Sequence, residues 1–161
     1  MTWMGVIVVA TDGSAAAEAA LDEAIALASA TGDSIAAATV WQALQGDYGL
    51  AYPPTAVLSD LLEAEREHAE ATLGRAADRA RAAGITVETQ LLTGDPAERI
   101  CDLARERDAR MIAMGTHGYG AVVTLFVGSV SGAVIRRARC PVLVVRAPDE
   151  PEPEGSSAEA G

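Results

Sequence analysis

The 161-residue chain contains no lysine; all 12 of its basic residues are arginine. A Walker-A phosphate loop needs Gly-Lys-Ser/Thr and is thereby excluded. A Schiff-base lysine is excluded as well. Any phosphate held by this chain is held by backbone N–H groups, hydroxyls, arginine or a metal. Aromatic residues make up 4% of the sequence, so the core is aliphatic and finely packed rather than built on rings. Cysteine occurs twice, at Cys101 and Cys140, in no Cys-x-x-Cys arrangement. Two thiols are too few for a structural zinc site. Their plain reading is that of small buried hydrophobes. Positive charge is outweighed by 23 acids, for a net charge of −11. Asp149, Glu150, Glu152, Glu154 and Glu159 lie beyond Arg146, and what precedes them is still acidic. Nucleic acid, whose phosphates demand a basic face, is a poor partner. So is an anionic membrane surface. No basic stretch precedes the short apolar run at the N-terminus, so no secretion leader is read there. The apolar stretch Gly120 to Ile135 is too short to span a bilayer and is broken by Thr124, Gly128, Ser129 and Ser131. A soluble, cytoplasmic protein is expected.

What is present is alternation. Val6 to Ala10 is a short β-branched run, the pattern of a strand buried on both faces. Ala15 to Thr31 carries apolar residues at helical spacing and is followed by Gly32, a C-terminal cap. Ser34 to Trp41 reads as a second strand, Gln42 to Pro54 as a loop, and Thr55 to Ala83 as a long helix closed by Gly84. The charges of that helix form a solvated face with i,i+4 pairs. Ile85 to Leu92 reads as the third strand. Asp95-Pro96-Ala97-Glu98 is a helix start: Asp95 caps, Pro96 suits the first position and Glu98 reaches back. Arg110 to Met114 and Pro141 to Val145 complete five strands, with a helix opening at Gly128 or Ser129 and stopping before Pro141. Such alternation predicts a doubly wound α/β fold with a parallel sheet. Ligands bind such sheets outside the carboxyl ends of the strands, where the winding reverses. Residues 1–147 are expected to form one domain, and residues 148–161 a disordered acidic tail.

The stretch Met114 to Val130 holds the most pointed pattern. Gly115 and Gly118 follow an apolar run, and Gly128-Ser129 opens a helix nine residues later. Glycine permits close approach of a ligand to the backbone. A helix N-terminus adds unpaired N–H groups and the positive end of a dipole. Together they suit an anion, most simply a phosphate chain. The spacing G-x2-G-x9-G-S resembles the nucleotide-binding signature of the universal stress protein family. Three further segments resemble that family: Val6 to Ser14, Gly94 to Glu98, and Cys140 to Val145. The resemblance spans roughly residues 4 to 147.

The resemblance implies strand order 3-2-1-4-5, with the switch point between strands 1 and 4. It implies ATP or a related adenine nucleotide in that crevice, with or without Mg²⁺. The site it implies comprises Ala10, Thr11, Asp12, Val40, Met114, Gly115, Thr116, His117, Gly118, Gly128, Ser129, Val130 and Ser131. Asp12 reads either as the N-cap of the first helix or as an acceptor for a ribose hydroxyl or adenine edge. Val40 would lend backbone groups to adenine, and is otherwise plain core. Ser129 would offer its hydroxyl and N–H, with Val130 and Ser131 adding N–H groups. His117 is an ordinary loop histidine or a phosphate contact; no second cluster points to a metal. The sequence departs from the family in one respect. The insert Tyr119 to Val127 often carries a basic residue there and carries none here.

No Gly-x-Ser-x-Gly or His-Glu-x-x-His is present, so no catalytic residue is assigned. The expected role is that of a stress-response sensor or regulator. The alternatives are a family member acting by protein contact without nucleotide, a slow nucleotide hydrolase, and a cyclic-nucleotide binder. Strand 5 should lie at a sheet edge. An apolar edge without lysine or an internal proline asks for cover. The resemblance implies a homodimer paired through Val142, Leu143 and Val144.

Overall fold

Strands buried on both faces need no polar side, and the short apolar runs of this chain take that form. The computed structural model describes residues 4–41, 55–117 and 128–148. The expected loop Gln42 to Pro54, the segment Gly118 to Val127 and the tail from Asp149 onward lie outside them. Strand β1 is Val6–Ala10, followed by helix α1, Ala15–Thr31. Gly32 closes α1 in the left-handed region at φ 77°, its N–H donating to Ala28 O at 2.8 Å. Strand β2 is Ser34–Trp41 and helix α2 is Thr55–Ala82. Strand β3 is Val87–Thr93, helix α3 Pro96–Glu106, strand β4 Met111–Gly115, helix α4 Ser129–Arg137, and strand β5 Val142–Val145.

All neighbouring strands pair in parallel, in the order β3-β2-β1-β4-β5. The winding reverses between β1 and β4, where Ala10 stands level with Ala38 on one side and Met114 on the other. Successive side chains of β1 point to opposite faces. Ile7 and Val9 pack with α1 and α2 through Leu21, Ala24, Leu73 and Ala76. Val8 packs with α3 and α4 through Ile100, Leu103 and Val134. Ile7, Leu21, Ile35 and Ile112 are fully buried. Each such side chain contributes about 1.5–3 kcal/mol. Between them the packing is mostly methyl: Ala36, Ala37 and Ala38 fill β2, and Ala69, Ala76, Ala77 and Ala80 form the buried seam of α2.

Two expectations shift. Strand β3 begins at Val87, not Ile85, because Ile85 is used in stopping α2. Its N–H donates to Ala80 O at 3.0 Å while Gly84 turns at φ 77°. Asp95 caps α3 by accepting from Glu98 N at 2.9 Å, with Pro96 next to it. The return bond from the Glu98 side chain is not made among the described residues.

At the amino ends of the strands a buried carboxylate ties three segments together. Asp33 accepts from Gly5 N at 2.7 Å and from Thr31 Oγ1 at 2.7 Å, and its Oδ2 lies 3.2 Å from Arg110 Nε. The cysteines pack on the α3–α4 side of the sheet as free thiols. Burial pushes both thiols up from their ordinary range, so they stay protonated at neutral pH.

Candidate functional site

The switch point is built by the residues that leave β1 and β4. Thr11 N donates to Ala38 O at 2.9 Å, and Thr39 Oγ1 donates to Thr11 O at 2.7 Å. The exit of β1 is thereby locked to β2, just below Val40. Gly13 then takes φ 80°, a backbone conformation that an L side chain strains to adopt. Its N–H donates to Thr11 Oγ1 at 3.2 Å, and Ser14 N donates to Asp12 Oδ1 at 2.9 Å. Asp12 therefore folds the turn rather than capping α1. The cap is Ser14, whose Oγ accepts from Ala17 N at 3.3 Å.

The exit of β4 is locked in the same manner. Thr116 N donates to Val145 O at 2.9 Å, which fixes it to β5. The Thr116 carbonyl accepts twice, from Gly128 N at 2.9 Å and from Ser131 Oγ at 2.9 Å. The N-terminus of α4 is thus held over the end of β4. Ser131 is 2% exposed and its hydroxyl is spent on this anchor, with a further contact to Gly128 O at 3.1 Å. Gly128 caps α4 without any side-chain bond. The first i→i−4 bond of α4 is Gly132 N to Gly128 O, so the N–H groups of Ser129, Val130 and Ser131 precede it. Ser129 itself is exposed. The two exits touch: Ser14 Oγ donates to His117 O at 3.4 Å.

The glycines divide into separate roles. A Cβ on Gly128 would stand 2.6 Å from Thr116 O, so glycine is what lets α4 close on β4. A Cβ on Gly115 would stand 2.8 Å from Ala16 C, Ala16 Cβ and Ala17 N. Gly115 therefore admits the first turn of α1, and a side chain there strikes that helix before it meets any ligand. Gly118 lies outside the described residues. Met114 is buried among Val134 and the α3 residues, level with Ala10 of β1 and Val144 of β5. Ala10 and Val40 stand at the same rim, both half-buried.

The structure brings Thr11, Asp12, Thr116, His117, Gly128 and Ser131 to one end of the sheet. It adds residues that sequence reasoning missed. Ser14 had a legible signal, a serine directly before an alanine-rich helix. Thr39, which locks the β1 exit, had none. Thr72 and Arg75 of α2 also arrive here: the Cβ position of Gly13 lies 3.4 Å from Thr72 Oγ1 and 3.6 Å from Arg75 Nη2. Their approach depends on how α2 docks, which no local pattern encodes. Among the described residues no three His, Cys, Asp or Glu side chains converge as a metal cage. Among them, too, no helix is long and apolar enough to cross a membrane.

The sequence matches the profile of the universal stress protein family over residues 4–146. A universal stress protein of Thermus aquaticus is 37% identical over 140 residues, which cover 87% of this chain and 97% of that protein. A universal stress protein solved in complex with cAMP is 32% identical at a TM-score of 0.66, over 89% of this chain and 97% of that one. The universal stress protein of Archaeoglobus fulgidus, solved in complex with dAMP, is 28% identical at a TM-score of 0.65, over 90% and 99%. With the five-stranded sheet, its strand order and nearly its whole length in common with these proteins, the chain belongs to the universal stress protein family.

Proposed function

We propose that this protein binds an adenine nucleotide, ATP among them, between the carboxyl ends of β1 and β4, and serves as a cytoplasmic, nucleotide-responsive regulator of the stress response. The observation that carries the reading is the mounting of α4. A side-chain-free cap and three first-turn N–H groups are held by the Thr116 carbonyl beside the turn that carries Asp12. That is the arrangement of an anion site, supplied by backbone rather than by charged side chains. The relatives solved with cAMP and dAMP support the choice of ligand, since both ligands pair an adenine base with a single phosphate. Asp12 offers a carboxylate to a ribose hydroxyl. It is also the acid at this rim that a phosphate-bound Mg²⁺ could share, as Mg²⁺ takes one or two carboxylates and keeps its waters. No catalytic residue is assigned, and binding and release are the expected activity.

Calorimetric titration with ATP, ATP plus Mg²⁺, AMP and cAMP tests the reading. Ser129→Ala is expected to weaken binding by about 0.5–1.5 kcal/mol, one neutral hydrogen bond. A parent protein that binds none of the four overturns the reading and leaves a role by protein contact. Product analysis over time separates a binder from a slow hydrolase.

The protein is further proposed to pair with a second copy along β5. Among the described residues strand β5 has a neighbour on one side only, and Val142, Leu143 and Val144 are each half-buried. An apolar edge of this kind is a template for another strand, and a two-fold dimer is the commonest way to cover it. Val144→Lys is expected to convert a dimer to monomers at tens of micromolar, as read by light scattering. A parent protein already monomeric at those concentrations overturns the pairing.

A further inference from the structure

We infer that Arg75, on α2, is a phosphate-binding residue of the nucleotide site and supplies the positive charge that the glycine-rich segment lacks. The inference rests on the nucleotide reading above and names a residue for it. Three observations carry it.

The first is direction. All five strands run parallel, so α2, which leaves the carboxyl end of β2 and returns to the amino end of β3, has its N-terminus at the rim where the site lies. Side chains on a helix lean toward its N-terminus. Arg75 therefore leans toward the site. Its Nη2 donates to Thr72 Oγ1 at 3.0 Å, one turn nearer the rim. Thr72 is 1% exposed and fixed, so the guanidinium is anchored at its base.

The second is position. Nη2 lies 3.6 Å from where a Cβ of Gly13 would stand, against the turn that joins Asp12 to Ser14. That is ordinary van der Waals distance, so the guanidinium lies directly against the turn, which glycine at φ 80° makes possible.

The third is charge. Arg66, Arg79, Arg105, Arg107 and Arg110 each lie against a carboxylate. Arg75 has no carboxylate partner among the described residues, in a chain of net charge −11. A guanidinium carries five donors in a planar fork suited to phosphate oxygens, and the bond to Thr72 uses one. The Tyr119 to Val127 insert holds no basic residue, and Arg75 is a positive charge that another element brings to this rim beside the backbone N–H groups of α4.

Titration of the full chain with AMP and with adenosine tests the assignment. Arg75→Gln is expected to lower AMP affinity roughly tenfold, the size of a charge-assisted hydrogen bond. Its adenosine affinity should match that of the parent. The fall of AMP affinity with added salt should be shallower in Arg75→Gln than in the parent. Arg75→Lys should recover part of the loss. Equal losses for adenosine and AMP, or no loss for either, overturn the assignment. So does a loss that comes with a lowered melting temperature in both Arg75→Gln and Arg75→Lys, which marks a packing role. A parent protein that binds neither compound overturns the nucleotide reading itself. A parent that binds AMP while Arg75→Gln binds it equally well overturns the role of Arg75 alone.

Discussion

Gly115→Ala is expected to cost this protein about 3 kcal/mol or more, the upper end of what overpacking costs. The new methyl would meet Ala16 C, Ala16 Cβ and Ala17 N at 2.8 Å. Two of those three atoms are backbone in the first turn of α1, and they cannot swing away as a long side chain can. Either α1 shifts off the sheet or the end of β4 bends. Both moves disturb the bond from Ser14 Oγ to His117 O and the capping of α1. Typical domains hold only about 5–15 kcal/mol in total, so Gly115→Val should leave little folded protein. Denaturant titration of Gly115→Ala measures the cost. A loss below about 1 kcal/mol would show that α1 yields freely and that the close approach is not structural. The experiment also separates fold from function at this residue, since weakened nucleotide binding in Gly115→Ala follows from a displaced α1.

Asp33→Ala is expected to cost about 2–4 kcal/mol, and magnitudes decide where that cost arises. The ion pair with Arg110 is the smaller part, because Arg110 is 49% exposed and screened by water. The larger part is the loss of a buried acceptor for Gly5 N and Thr31 Oγ1. Thr31 Oγ1 keeps Leu27 O as an acceptor at 2.9 Å, so the cost falls mainly on Gly5 N, and a donor left without a partner costs about 1–3 kcal/mol. The pocket is tight as well, since a Cβ on Gly5 would stand 2.8 Å from Asp33 Oδ1. Arg110→Ala should therefore cost under about 1 kcal/mol, the range of exposed pairs. Thermal and denaturant unfolding of the two variants checks the ordering. If Arg110→Ala proved the costlier change, the carboxylate would be acting through charge and not through its hydrogen bonds.

The sheet was legible because its punctuation is chemical. Gly32 and Gly84 stop helices with left-handed turns, and Asp95-Pro96 starts one, each by a mechanism visible in the residues. The beginning of β3 was misjudged because Ile85 looks like strand while its N–H closes α2. Around the switch point, what could be read was what lies within one segment: the glycine spacing, Ser129 and Asp12. What could not be read was contact between segments. Gly115 looked like a ligand glycine and is spaced by α1. Ser131 looked like an N–H donor, and its hydroxyl anchors α4 to Thr116. Arg75 looked like one more charge on a solvated helix and stands against Gly13. In each case the deciding neighbour is far away in sequence and set by docking, not by propensity.

The methyl-lined interior has a thermodynamic consequence. A buried alanine has no rotamers to freeze, while a buried leucine or isoleucine gives up roughly 0.5–1 kcal/mol of side-chain entropy. The layer between β2 and α2 is therefore ordered at little side-chain entropy cost where it is built from Ala37, Ala76 and Ala80. In return its alanines contribute little area per residue, and beside Ile35 and Leu73 they offer no rotamers that could repack around an added atom. Such a layer behaves as a fixed spacer: it sets how far α2 stands from the sheet, and with it how far Thr72 and Arg75 stand from the turn at Gly13.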